Sequence, residues 1–255
     1  TEIYTLSLHD ALRSPYSGGD NHNVQAVGNL PLLKDRLAIR ATAYSNQESG
    51  FYRNVADSDA AFQAAVVTRY GAEAFATGEE EVGSYYVVGG RIAALFQASD
   101  DLRFTLSYLS QKAETDGSPV ATSGSNEYEQ TLLQVAPEHV IRGQKGGQVD
   151  RDIDIANATM EYNLGWADLL ASYSHTTGGT TESYPYTIFG SANAVPASAY
   201  SVSDHREHVG EVRLATHLDG AWNFLAGLYA EDLKDDVFWD ERYMEIGRAS
   251  CRERV

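Results

Sequence analysis

His205 and His208 are the first residues of this chain whose type and spacing invite chemistry. Two imidazoles can chelate a divalent metal. These two, however, lead into a strand-like run, where residues three apart point to opposite faces, and no third ligand is evident. They read as loop histidines. The segment GQKGG, Gly143 to Gly147, is Gly-rich. It has no Ser or Thr after its Lys and no strand–loop–helix setting, so it is not a phosphate loop. Ser, His and Asp are plentiful, yet no G-x-S-x-G or comparable nucleophile setting occurs. Glu79-Glu80-Glu81 reads as a solvated loop rather than a cation site. No catalytic residue, metal ligand or cofactor is expected from this inventory, and nothing in it supports an enzyme.

The remaining candidates concern recognition. Segment 183–190, SYPYTIFG, is the most apolar and aromatic part of any long connection. Tyr184, Tyr186 and Phe189 there are candidates to stack on a flat ligand, with packing inside their own loop as the plainer reading. Arg40, Arg91, Arg103, Glu211 and Arg213 fall on the polar side of alternating runs. They are expected to line an enclosed lumen or face a plug inside it, with structural ion pairing an equal use.

The elements that position these residues follow from alternation. From Val87 to Gln111, Ile92, Ala94 and Phe96 oppose Arg91 and Gln97; after Ser99-Asp100-Asp101, Leu102, Phe104, Leu106 and Tyr108 oppose Arg103, Thr105 and Ser107. Period two means a β-hairpin with one apolar and one polar face. Three more hairpins read the same way. Val24 to Leu32 turns at Lys34-Asp35 into Leu37 to Ala43; Ala156 to Leu164 turns near Gly165 into Ala167 to Tyr173; Val209 to Leu218 turns at Asp219-Gly220 into Trp222 to Tyr229. Long polar connections separate them: Asn46 to about Tyr85, Ala113 to Arg151, and Gly178 to His208. Within the first, Phe62, Ala65, Val66 and Tyr70 stand at helical spacing behind Asp57 or Ser58, which predicts a short helix.

Short turns at one end and long loops at the other are uncommon in compact soluble domains. They suit an outer-membrane barrel, with turns on the periplasmic side and loops outside. Aromatic placement agrees: Trp166 and Trp222 fall at short turns, and Tyr44, Tyr108, Tyr173 and Tyr229 lie seven to nine residues beyond a turn. Two belts at that separation match the girdles flanking an apolar band of about 25 Å. The apolar faces are rich in Ala and Gly, which fill a sandwich core poorly. The expected fold is therefore all-β: an antiparallel up-and-down meander, a partial transmembrane β-barrel of about eight strands in four hairpins.

Composition agrees and excludes other classes. Sixteen Tyr and 22 Gly against six Pro and one Cys suit an all-β chain without disulfides. No apolar run approaches the roughly 18 residues of a membrane helix. With 36 acidic against 19 basic residues and a net charge of −17, nucleic acid is not an expected partner.

The two ends read differently. Thr1–Leu12, TEIYTLSLHDAL, and Glu245–Val255, EIGRASCRERV, resemble translations of one short-read sequencing adapter on opposite strands. The adapter continues with Pro-Ile where this chain has Arg13-Ser14, a change that loss of one nucleotide produces. Residues 1–14 and 245–255 are accordingly expected to be adapter-derived scars, and 15–244 the genuine segment. Cys251, the one cysteine, then belongs to a scar, and the lack of a signal peptide says nothing about location.

Across about Val24 to Tyr229 the chain resembles the TonB-dependent outer-membrane receptors. Asn29-Leu30-Pro31-Leu32, Asp35, Leu37-Ala38-Ile39-Arg40 and Gly50-Phe51 resemble their early barrel strands, which show N-x-P-L, an acidic turn, L-A-hydrophobic-R, then a Gly-aromatic loop start. Gly89-Gly90-Arg91, Gly210-Glu211-Val212-Arg213-Leu214 and Ala226-Gly227-Leu228-Tyr229 are similar to the family too. The resemblance implies a 22-stranded barrel around an N-terminal plug in the outer membrane of a Gram-negative bacterium. It implies uptake of a scarce small molecule, such as a ferric siderophore, cobalamin or a saccharide, driven through TonB from the inner membrane. Plug, coupling box and C-terminal strand are not in this stretch. The other readings are a porin or passive channel with the same wall, and a soluble secreted β-sandwich acting as a carbohydrate-binding module.

Overall fold

A computed structural model describes residues 5–9, 19, 21–55, 58, 60–61, 63–64, 68, 79–117, 129–130, 147–185 and 197–243. Alternation becomes pairing almost throughout. The first expected hairpin is β2 (His22–Leu33) with β3 (Leu37–Glu48), and the second β6 (Ser84–Gln97) with β7 (Leu102–Asp116). The third is β9 (Val149–Asn163) with β10 (Ala167–Pro185), and the fourth β11 (Ala197–Thr216) with β12 (Leu225–Tyr243). Each strand pairs antiparallel with its neighbours in chain order, and β1 (Thr5–His9) adds to the outside of β2. The result is one nine-stranded sheet running β1-β2-β3-β6-β7-β9-β10-β11-β12, with β12 unpaired to β1. β4 (Tyr52–Asn54), β5 (Glu79–Val82) and β8 (Glu129–Gln130) form a separate three-stranded sheet drawn from the first two long connections.

The four short turns fall where Gly, Asp and Asn supply their geometry. Asp35 takes a φ of 58°, a left-handed conformation its short polar side chain tolerates. Gly165 takes 84°, and its N–H donates to the Asn163 side-chain oxygen at 2.7 Å. At the last turn the Asn223 side chain accepts from the Leu218 N–H at 2.6 Å. All four turns lie at one end of the sheet, and the long connections at the other.

Two expectations need correction at that second end. The third connection was expected from Gly178 to His208; instead β10 and β11 stay paired as far as Pro185↔Ser198. The stretch GGTTES from Gly178 reads as loop because it is polar, but β-branched Thr suits a strand. The second connection shortens similarly, since β7 runs to Asp116 and β9 begins at Val149. In the expected helix, the described residues Ala60, Ala61, Gln63, Ala64 and Thr68 are helical. Phe62, Ala65, Val66 and Tyr70 of that pattern lie outside the described residues, as does Asp57.

No second layer covers the large sheet among the described residues. Among the described residues the buried hydrophobic ones are Val82, in the small sheet, and Val87, Ala167 and Tyr200 in the large one. A sandwich of this size would bury one whole face of each sheet. Here Leu106 is 58% exposed and Leu228 80%. The chain is an open, twisted wall with two free faces, the form a partial barrel takes.

Candidate functional site

Register fixes which side chains share a face, because cross-strand partners point the same way. One continuous row runs Leu37, Phe96, Phe104, Met160, Ala171, Val212 and Leu228 across seven strands, β3 to β12. The next row toward the loops is Leu30, Ile39, Ala94, Leu106, Ala158, Tyr173, Gly210 and Ala230. These rows make an apolar band. One row further, Ile92 and Tyr108 continue it on the β6–β7 side, while His175, His208 and Asp232 end it on the β10–β12 side. Beyond that the same face turns polar, with Asp154, Thr177, Arg206 and Lys234 in one row and Lys112, Asp152, Asp204 and Asp236 in the next.

Two tyrosines mark the boundary, and both hydroxyls aim at the polar side. Tyr108 donates to Asp154 Oδ1 at 2.7 Å, and the Tyr173 hydroxyl lies 2.7 Å from Nδ1 of His208. An apolar ring with its polar tip turned outward is what an interfacial tyrosine requires. Tyr44 and Tyr229, expected in the same belt, are on the opposite face. Tyr44 is the partner of Gly89, and Tyr229 of Glu211. Distance from a turn sets height along the strand but leaves the face open, and a one-residue offset reverses it. Tyr44 instead lies across Gly89, where a Cβ would sit 2.6 Å from the tyrosine oxygen, and donates to Gln111 Oε1 at 2.6 Å.

All five expected lumen residues fall together on that opposite face. Arg103 and Glu161 are register partners and form an ion pair; Glu211 and Arg213, two apart on β11, form another. Arg91 donates to Ser107 Oγ at 3.4 Å, and Arg40 forms no ion pair among the described residues. Ser107, Asn157, Thr159, Ser172 and Ser174 fill the same rows. The arrangement is a polar, charge-bearing wall; Arg103 and Glu161 are both about half-exposed, which keeps their pairing weak. Above the boundary, the Lys112 ammonium has its pKa raised by its hydrogen bond to Glu114 and by the charge of that carboxylate.

The aromatic candidates of the third loop are only partly placed. Tyr184 stands in β10 opposite Ala199, and Tyr186 and Phe189 lie outside the described residues. The separation of His205 from His208 holds as spacing requires. His205 pairs with Asp235 at 2.6 Å on the charged face, while His208 lies on the other. What sequence spacing could not show is the true neighbour of His208. His175, on β10, is its register partner, and the two rings stack with centroids 4.2 Å apart. Among the described residues, no group of three or more His, Cys, Asp or Glu side chains is placed to hold a metal. No helix among them is long and apolar enough to cross a membrane.

No family model matches the chain, and no curated protein matches it. Among solved structures it is similar to the siderophore receptor PirA from Acinetobacter baumannii, at 15% identity and a TM-score of 0.49. That similarity covers 95% of this chain and 30% of the other, so the chain spans under a third of that structure's length.

Proposed function

We propose that this chain is a section of the wall of a TonB-dependent receptor in the outer membrane of a Gram-negative bacterium. In this reading its apolar band meets lipid and its charged face looks into the bore. The complete receptor takes up a scarce small molecule such as a ferric siderophore, with energy passed from the inner-membrane TonB complex to its plug. The observation that carries the reading is the uncovered apolar face, bounded by tyrosines whose hydroxyls turn toward the loop end. Monomeric water-soluble proteins rarely leave a contiguous apolar patch larger than a few hundred Å² open. The N-x-P-L and L-A-hydrophobic-R segments favour a receptor over a passive channel.

Extraction tests the membrane part. A sodium carbonate wash of outer membranes leaves the full-length protein in the pellet; its release into the wash refutes both receptor and porin. The parent reading frame tests the rest. A plug domain with a coupling box upstream of the barrel is expected, and a barrel that begins directly after a signal peptide makes the protein a porin.

A further inference from the structure

We propose that His175 and His208 form a two-imidazole site for a borderline divalent transition-metal ion, completed by water, at the loop-side margin of the apolar band. The inference rests on register and side-chain geometry and is independent of what the band faces. His175 and His208 are direct cross-strand partners on one face, and their rings are nearly parallel, 17° apart, with centroids separated by 4.2 Å.

Hydrogen bonding sets the rings up as ligands. Nδ1 of His175 lies 3.2 Å from the Glu207 carbonyl oxygen. A carbonyl only accepts, so Nδ1 carries the proton and Nε2 presents its lone pair. Nδ1 of His208 lies 2.7 Å from the Tyr173 hydroxyl, a group that both donates and accepts; in the tautomer where it accepts, Nε2 of His208 presents its lone pair too. Metal-binding histidines characteristically donate their second ring N–H in this way, which fixes tautomer and orientation. Two nitrogens on one tetrahedral ion, at Zn–N or Cu–N lengths near 2.0–2.1 Å, stand about 3.3 Å apart. Binding therefore requires the two rings, stacked with centroids 4.2 Å apart, to turn about their Cβ–Cγ bonds until both Nε2 atoms converge on one ion, a rotation within the broad torsional freedom of a His ring. Asp232, the register partner of His208 on β12, places a negative charge beside the site. Imidazole nitrogen with water selects Cu²⁺ and Zn²⁺ over Mg²⁺ and Ca²⁺.

The test uses the full-length protein that contains this stretch, in detergent micelles, with far-ultraviolet circular dichroism confirming the sheet in every variant. Cu²⁺ is titrated and followed by electron paramagnetic resonance. The expected result is one equivalent bound with hyperfine structure from two nitrogens, lost in His175→Gln and in His208→Gln. Tyr173→Phe, which removes only the hydrogen bond behind His208, weakens binding about tenfold. His205→Gln, on the other face, leaves it unchanged. A second readout needs no substitution: Zn²⁺ protects His175 and His208, and not His205 or His217, from diethylpyrocarbonate, as mass spectrometry resolves. Equal Cu²⁺ binding by the His175→Gln/His208→Gln double variant overturns the proposal. So does equal loss in His205→Gln, or absence of selective protection by Zn²⁺.

Discussion

Isolating this chain leaves the wall with two open edges, and the cost of those edges can be worked out strand by strand. Among the described residues β12 is the last strand of the sheet and is paired only with β11. In an antiparallel strand alternate residues direct both N–H and C=O to the same side. Over Leu225 to Ala230, where β12 carries its share of the apolar band, about three N–H and three C=O groups therefore face outward. Without water each costs about 2 kcal/mol, so the edge costs about 12 kcal/mol in a bilayer. At the other side β1 covers β2 only from Asn23 to Val27, leaving the apolar end, Gly28 to Leu33, open at a similar cost. Either edge alone rivals the net stability of about 5–15 kcal/mol that a folded domain possesses. The expectation is that the chain alone, refolded into lipid vesicles, yields no folded monomer and transports nothing. Its folded fraction consists of oligomers joined edge to edge, seen by sedimentation in matched-density buffer and by protease protection of the strands. A protected, monomeric, vesicle-inserted chain refutes the reasoning.

Other consequences follow from particular contacts. Gly89→Ala places a methyl 2.6 Å from the Tyr44 oxygen and 2.9 Å from the Ser110 carbonyl oxygen, and the backbone oxygen has nowhere to go. It is expected to cost about 1–3 kcal/mol, read as a lower midpoint of sheet loss on heating in detergent, and Tyr44→Ala is expected to relieve part of that cost. Glu161→Gln removes the partner of Arg103 on the charged face; because both are half-exposed, the loss is under about 1 kcal/mol and vanishes in high salt. A loss of several kcal/mol that salt leaves untouched would mean that this face is dry. Ala171→Arg and Ser172→Arg are neighbours on β10 with opposite faces; in a bilayer-embedded wall the first costs about 2–4 kcal/mol and the second little, as measured by denaturant titration in vesicles. Recovering the parent reading frame is expected to show it diverging from residues 1–14 and 245–255, which tests the adapter origin of both ends.

The hairpins were legible because period two is written directly into segments such as Ile92, Ala94 and Phe96 against Arg91 and Gln97. Turn chemistry at Asp35 and Gly165 then fixed register, and register placed Arg40, Arg91, Arg103, Glu211 and Arg213 on one face. Strand ends were less legible. The Thr-rich run after His175 has the polarity of a loop and the backbone preference of a strand, and the pairing with β11 decided between them. Tyr44 and Tyr229 show a second limit: height above a turn is a count of residues, while the face is its parity. Partners distant in sequence were not legible at all. Glu161 meets Arg103 and His175 meets His208 only because two strands joined by a long connection align, and no local spacing encodes that.

The orientation of the two faces is the claim on which the rest depends, and it has a direct measurement. Single cysteines are placed along β10 at Leu169, Ala171 and Tyr173, and at Leu170, Ser172 and Ser174, in a Cys251→Ser background, and each is labelled with a fluorophore. Brominated lipid in the vesicles then reports contact with hydrocarbon, whatever the oligomeric state. Strong quenching at 169, 171 and 173 with little at 170, 172 and 174 is the predicted pattern. The reverse alternation, or equal quenching along the strand, contradicts a wall whose Leu-, Ala- and Tyr-bearing side faces lipid.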